Sequence, residues 1–146
     1  MFYIILCKNR TIGSGLLRLL MWSRYSHSAV YDAETDTVYD TTLLQGGCKK
    51  HTKAEFDAKY PFQDQLREVP VVASVVPEAR KWLEAQLGKG YDWTALLGFV
   101  FQKNWQKAYR WFCSEHSETF RSLFSTPRFV LGAWRITPHH QYIITP

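Results

Sequence analysis

Cys113 stands in Trp111-Phe112-Cys113-Ser114-Glu115, where an aromatic approach gives way to residues that start a helix. A thiol placed there lies beside unpaired backbone N–H groups and the positive end of the helix dipole, both of which stabilise a thiolate. A thiolate nucleophile also needs a base or a cationic partner. His27, flanked by Ser26 and Ser28 at the start of a β-prone run, is suited to that work. Thirteen residues further on, Asp40 ends the next β-prone run. If residues 28 to 39 fold as an antiparallel hairpin, His27 and Asp40 face each other near its open end. The carboxylate can there fix the imidazole tautomer and stabilise its cation. Each residue also has an ordinary reading by itself: a small buried hydrophobe, a strand-opening His, a turn Asp.

These three side chains need elements to hold them. Phe2 to Cys7 is a short apolar strand, and Gly13-Ser14-Gly15 opens a helix in which Leu16, Leu17, Leu20 and Met21 recur at helical spacing. Ser28 to Tyr31 and Thr37 to Tyr39 form a hairpin around the polar stretch from Asp32 to Asp36. Gly46-Gly47 begins a polar, Lys-rich loop, after which Val69 to Val76 reads as a strand that, given Pro70, lies at a sheet edge or starts there. Pro77 then opens the clearest helix, with Ala79, Trp82, Leu83, Gln86 and Leu87 on one face and Gly88 and Gly90 ending it. Asp92 caps a second helix through Leu96, Leu97 and Val100. Cys113 or Ser114 starts a third, with Phe120, Leu123 and Phe124 on one face and Thr126-Pro127 closing it. Thr137-Pro138 marks a turn or helix start before Tyr142-Ile143-Ile144. Together these elements predict an α+β fold.

The chain length of 146 residues, with 46% hydrophobic and 21% charged residues, suits one domain over residues 1–146. Its 23 aromatic residues (Phe 9, Tyr 8, Trp 6) can fill a core without a metal or disulfide, so no cofactor is expected. Three cysteines cannot all pair within one chain, which favours free thiols and a reducing compartment. Met1 to Cys7 lacks a preceding basic region and is too short for an export signal or a membrane span, so a cytoplasmic location is expected. The net charge of +5 favours acidic partners without choosing among envelope polymers, anionic lipid and nucleic acid.

The order of the motifs adds a resemblance. Tyr25-Ser26-His27-Ser28-Ala29-Val30 precedes Val38-Tyr39-Asp40-Thr41, Gly46-Gly47, Gly90-Tyr91-Asp92-Trp93 and finally Trp111-Phe112-Cys113-Ser114-Glu115. This series resembles the circularly permuted branch of the NlpC-type papain-like cysteine hydrolases, which includes relatives of lecithin retinol acyltransferase, over about residues 3 to 138. In that branch the His comes first and the Cys-Ser-Glu helix late. The resemblance implies a small antiparallel sheet packed against helices, with the nucleophile at the start of a late helix. It implies Cys113 as nucleophile, His27 as base and Asp40 as orienter, a position that varies within the family. Tyr91 to Gly98 also looks like short members encoded by bacteriophages, for which virion association or release on lysis would apply. The implied substrates are peptide or isopeptide bonds, including peptidoglycan stem peptides, and acyl esters or amides; no nucleic acid is expected. Tyr25 and Tyr91 are candidates for lining the cleft.

Two other classes compete with the hydrolase. One is a catalytically silent binding or inhibitory protein on the same fold. The other follows from a departure from the family pattern: His116 and Ser117 follow Cys-Ser-Glu where apolar residues are usual, which places a second imidazole one turn beyond Cys113. Cys48-Lys49-Lys50-His51 and Cys113-Ser114-Glu115-His116 are then two Cys-x-x-His pairs, a composition that tetrahedral zinc accepts. Among the remaining features, Gly13-Ser14-Gly15 lacks the Lys-Ser/Thr ending of a phosphate loop, and Arg18 and Arg24 read as a solvated helix face. His139-His140 reads as a surface pair, and most of the six Trp as core.

Overall fold

The computed structural model describes residues 1–8, 14, 15, 18, 19, 22–95, 98, 109–129, 132 and 135–144. Phe2–Cys7 forms β1, and five of its six residues are buried, as a strand covered on both faces requires. His27–Asp32 (β2) and Thr37–Thr42 (β3) form the expected hairpin, and Asp36 takes the left-handed conformation (φ 52°) in the tight connection. Gly47–Thr52 is β4, Lys53–Lys59 is α1 and Gln63–Val69 is β5. The five strands make one antiparallel sheet in the order β4-β3-β2-β1-β5. The fold is therefore α+β.

Helices cover both faces of this sheet. Val76–Gln86 (α2) and Cys113–Phe124 (α3) lie on the face that carries Phe2, Ile4, Leu6, Val30 and Tyr39, where Ala79, Leu83 and Phe120 complete the core. α1 covers the opposite face, where Phe56 and Tyr60 pack on Ile5, Cys7, Ala29 and Val38. Two short parallel strands, Gly90–Tyr91 (β6) and Arg110–Trp111 (β7), lead into α3. Pro138–Ile143 (α4) is capped by Thr137, and Gln141 Nε2 reaches Ser114 O, Ser117 Oγ and Glu118 Oε2. Among the described residues no helix is long and apolar enough to cross a membrane.

Two parts of the sequence reading need correction. The Lys-rich stretch after Gly46-Gly47 is no loop. It forms β4, and Thr52 then caps α1 in a capping box in which Glu55 N donates to Thr52 Oγ1 and Thr52 N to Glu55 Oε2. Nor is Val69 to Val76 a strand. The edge strand is β5, which precedes that stretch and ends at Val69, because Pro70 supplies no amide to continue a ladder, and Ala73–Val75 form a 3-10 turn into α2. Much of the helix expected at 16–21, and that expected through Leu96, Leu97 and Val100, lies outside the described residues. Asp92 does accept from Thr94 N and Ala95 N as a cap would.

Gly47 is the position where the sequence needs glycine most. Its φ is +139°, and a Cβ there would stand 2.0 Å from Lys89 O and 2.8 Å from Gly90 Cα. Gly47→Ala should therefore cost ~2 kcal/mol or more and part β4 from the loop after α2, read as a lower urea midpoint.

Candidate functional site

β2 begins with His27 and β3 carries Asp40, but the two are not directly opposed. In the observed register Val30 faces Tyr39, so Ala29 stands opposite Asp40 and His27 reaches it diagonally on the same face. His27 Nε2 donates to Asp40 Oδ1 at 2.6 Å, with the carboxylate fully buried. Cys113, at the first position of α3, is a hydrogen-bonding and charge neighbour of the same imidazole. α3 is brought there by Ser117, whose Oγ lies 3.0 Å from Ser28 Oγ on β2, and by Ser114 Oγ, which donates to Ile136 O at 2.5 Å. At the helix start Phe112 N donates to Glu115 Oε2 at 3.4 Å.

The electrostatics follow from this contact. Burial by itself would lower the His27 pKa, but the Asp40 charge, the hydrogen bond to it and the adjacent Cys113 outweigh burial and raise it to about 10. Burial would raise the Asp40 carboxyl, yet His27, Lys59 and Gln45 hold it down at about 2. Burial pushes the Cys7 thiol well up and the Cys48 thiol up to about 11. All three cysteines are free.

Several residues around Asp40 were not legible as site residues. Gln45 Nε2 donates to Asp40 Oδ2 at 2.5 Å, and its Oε1 accepts from His51 Nε2 at 2.6 Å. Lys59 Nζ stands 3.3 Å from Asp40 Oδ2. Tyr60 stacks on His27 with ring centroids 5.0 Å apart and planes 24° apart, which fixes the imidazole plane from the α1 side. The Thr52-x-x-Glu55 capping box is the signal that finds α1, and with it Lys59 and Tyr60. Nothing in the sequence marks Gln45.

The two tyrosines part company. Tyr91 is half-buried, packs with Phe112 and Cys113, and has its phenol pKa raised by burial first and then by Cys113 and Asp92. Tyr25 does not line the site: it is 1% exposed, lies in the core and packs on Tyr142 at 5.0 Å between centroids. Arg24 is exposed, as a solvated position would be, and its guanidinium lies over the Tyr25 and Tyr142 rings at 6.0 and 5.6 Å. His140 is no surface ornament, since its Nδ1 accepts from Thr137 N at the start of α4.

The zinc arrangement is not formed. Cys48 and His51 are three residues apart on one strand and so point to opposite faces. Among the described residues no group of three or more His, Cys, Asp or Glu is placed to hold a metal ion. His116 instead stacks on Trp82, at 5.6 Å and 13°, and lies 5.7 Å from Trp111. Its Nδ1 is 3.4 Å from Thr41 Oγ1, and its buried Nε2 has no hydrogen-bond partner.

Burial lowers the His116 pKa to about 4, with Asp40 opposing and Lys89 adding to the effect. A folded-state pKa below the unfolded 6.5 stabilises the neutral form, so this contribution is complete above about 6.5 and is lost as pH falls toward about 4. Glu115, raised by burial to about 7, runs the opposite way over the same window. The readout is therefore a difference. Between pH 7.5 and 4, wild type should lose ~3 kcal/mol of unfolding free energy relative to His116→Phe. Parallel urea midpoints for the two proteins would contradict this.

The chain matches no protein-family model, no curated protein and no solved structure.

Proposed function

We propose that this chain is a cysteine hydrolase with the permuted papain-like arrangement, cleaving an amide or acyl bond. One observation carries the reading: His27 Nε2 bonds the Asp40 carboxylate at 2.6 Å, with Cys113 a hydrogen-bonding and charge neighbour of the same imidazole. In the proposed reaction the Cys113 thiolate, held as an ion pair with the His27 imidazolium, attacks the substrate carbonyl carbon through its sulfur to form a C–S bond. Collapse of the adduct breaks the carbonyl bond to the leaving amine or alkoxide, which takes the proton from His27. Water, deprotonated by His27, then adds to the thioester and releases the acid and the thiol. Asp40 remains ionised throughout and supports the imidazolium. The backbone N–H of Cys113 at the start of α3 is a donor for the oxyanion. The basic balance of the chain fits anionic substrates such as cell-wall peptide, with peptide, isopeptide and acyl bonds all within this chemistry.

Burial supports a second reading. Cys113 is 2% exposed, and a protein that keeps the arrangement for binding without turnover would bury its thiol in this way. Alkylation by iodoacetamide across a pH series separates the two. For the hydrolase, Cys113 is labelled at neutral pH faster than a free thiol of pKa ~8.5, and His27→Ala slows it toward that rate. Labelling of wild-type Cys113 no faster than a free thiol would leave the silent binder.

A further inference from the structure

β4 is the outer strand of the sheet, and its outward-facing backbone groups can be followed one by one. Cys48 N donates to Lys89 O at 2.8 Å, and Cys48 O accepts from Gly88 N at 3.0 Å. Residues two apart on a strand point their amides to the same side, so the groups of Lys50 and Thr52 face outward as well. Thr52 N is taken by Glu55 Oε2. Lys50 N–H and C=O are left as the open rung between two covered ones, and no hydrogen bond to them occurs among the described residues.

Two hollows meet at that rung. One, of about 390 Å³, runs between Gln45, Cys48, Lys49 and Lys50 on one side and Leu87 and Lys89 on the other. The second, of about 310 Å³, continues past Lys50 to Asp36, Thr37, Thr52 and Glu55, so its far end carries two acidic side chains and the charge that would select a carboxylate lies in the first. Among the described residues no acidic side chain lines the first hollow. Lys50 is engaged by Glu84 at 3.0 Å, and Lys89 Nζ donates to the neutral Gln86 Oε1 at 2.7 Å and lies over the Trp111 ring, so the positive charge there comes from Lys49 and Lys89.

We propose that this trough is a docking site for an extended acidic peptide, which pairs with the Lys50 backbone as a short added strand and sets carboxylates against Lys49 and Lys89. Backbone pairing supplies the fixed register, and the lysines select acidic over basic sequences. The site is separate from the thiol and holds whether or not Cys113 performs hydrolysis. Gln45 belongs to both, since it walls the trough and donates to Asp40.

Fluorescence anisotropy with a labelled alternating Thr-Glu hexapeptide tests this, using the alternating Thr-Lys peptide and a Thr-Glu peptide N-methylated at alternate residues as controls. The Thr-Glu peptide should bind about tenfold or more tightly than either control. Lys49→Glu combined with Lys89→Glu should weaken it about tenfold. Lys50→Pro removes the outward amide without touching the β3 ladder, and should weaken it similarly while circular dichroism shows an unchanged fold. Equal binding of the N-methylated peptide, or unaltered binding by Lys50→Pro, would overturn strand addition. Absence of Thr-Glu binding at millimolar peptide would overturn the site.

Discussion

Cys113→Ala should lower hydrolysis of any true substrate by ~10⁴-fold or more, because the step it removes is formation of the covalent bond and no neighbouring group can replace it. The alternative thiols are poor substitutes: Cys7 and Cys48 are buried, with pKa values raised above that of an ordinary thiol. The fold should survive the change. A sulfur removed from the first position of α3 leaves a small gap beside Ala95 and Phe112, worth ~1 kcal/mol, while Ser114, Ser117 and Gln141 still tie the helix to its neighbours. Cys113→Ala with wild-type circular dichroism and undiminished turnover would refute the proposed mechanism. His27→Ala supplies the complementary test, since it leaves the thiol in place and removes its proton acceptor.

Asp40→Asn has the second large effect, and it is expected in two independent readouts. In turnover, the loss should be of the order of 10⁴-fold, comparable to replacing the acid of a Ser-His-Asp triad by its amide, because the amide favours the wrong imidazole tautomer and no longer supports the cation. In stability, the signature is a pH profile. The His27 pKa is raised from 6.5 to about 10, so its contribution is whole below about 6.5 and is lost as pH rises toward 10. The Asp40 pKa is lowered from 3.8 to about 2, so its contribution is whole above about 4 and is lost as pH falls toward 2. The pair therefore stabilises most between about pH 4 and 6.5. Wild type should become less stable from pH 6.5 to 9.5 by an amount that Asp40→Asn does not show. Urea midpoints at those two pH values decide it, and an equal alkaline decline in both proteins would place the titration elsewhere.

The local pattern was enough to place several elements. The continuous apolar run of β1, the proline-opened and apolar-striped α2, and the start of α3 at Cys113 are each set by residues within one or two turns of themselves. The hairpin of β2 and β3 was legible for the same reason, since its polar connection and short β-prone arms are adjacent in the chain. That local order also singled out Cys113, His27 and Asp40.

What pairing and packing decide lay beyond that reach. Whether His27 faces Asp40 squarely or diagonally depends on a register set by the whole sheet. Gln45 joins the site from the turn between β3 and β4, and Lys59 and Tyr60 join it because α1 covers that sheet face, an arrangement no single residue type announces. Tyr25 stands two residues before His27 but outside β2, so strand alternation does not carry it to the His27 face, and it packs in the core on the other side of the sheet. His116 likewise carries a ligand's chemistry, but two indoles and the sheet enclose it as a neutral ring. Short-range periodicity determines which segments become strand or helix and which residue types they carry. Only long-range burial determines which of those side chains meet, because a side chain's neighbours there come from segments far along the chain.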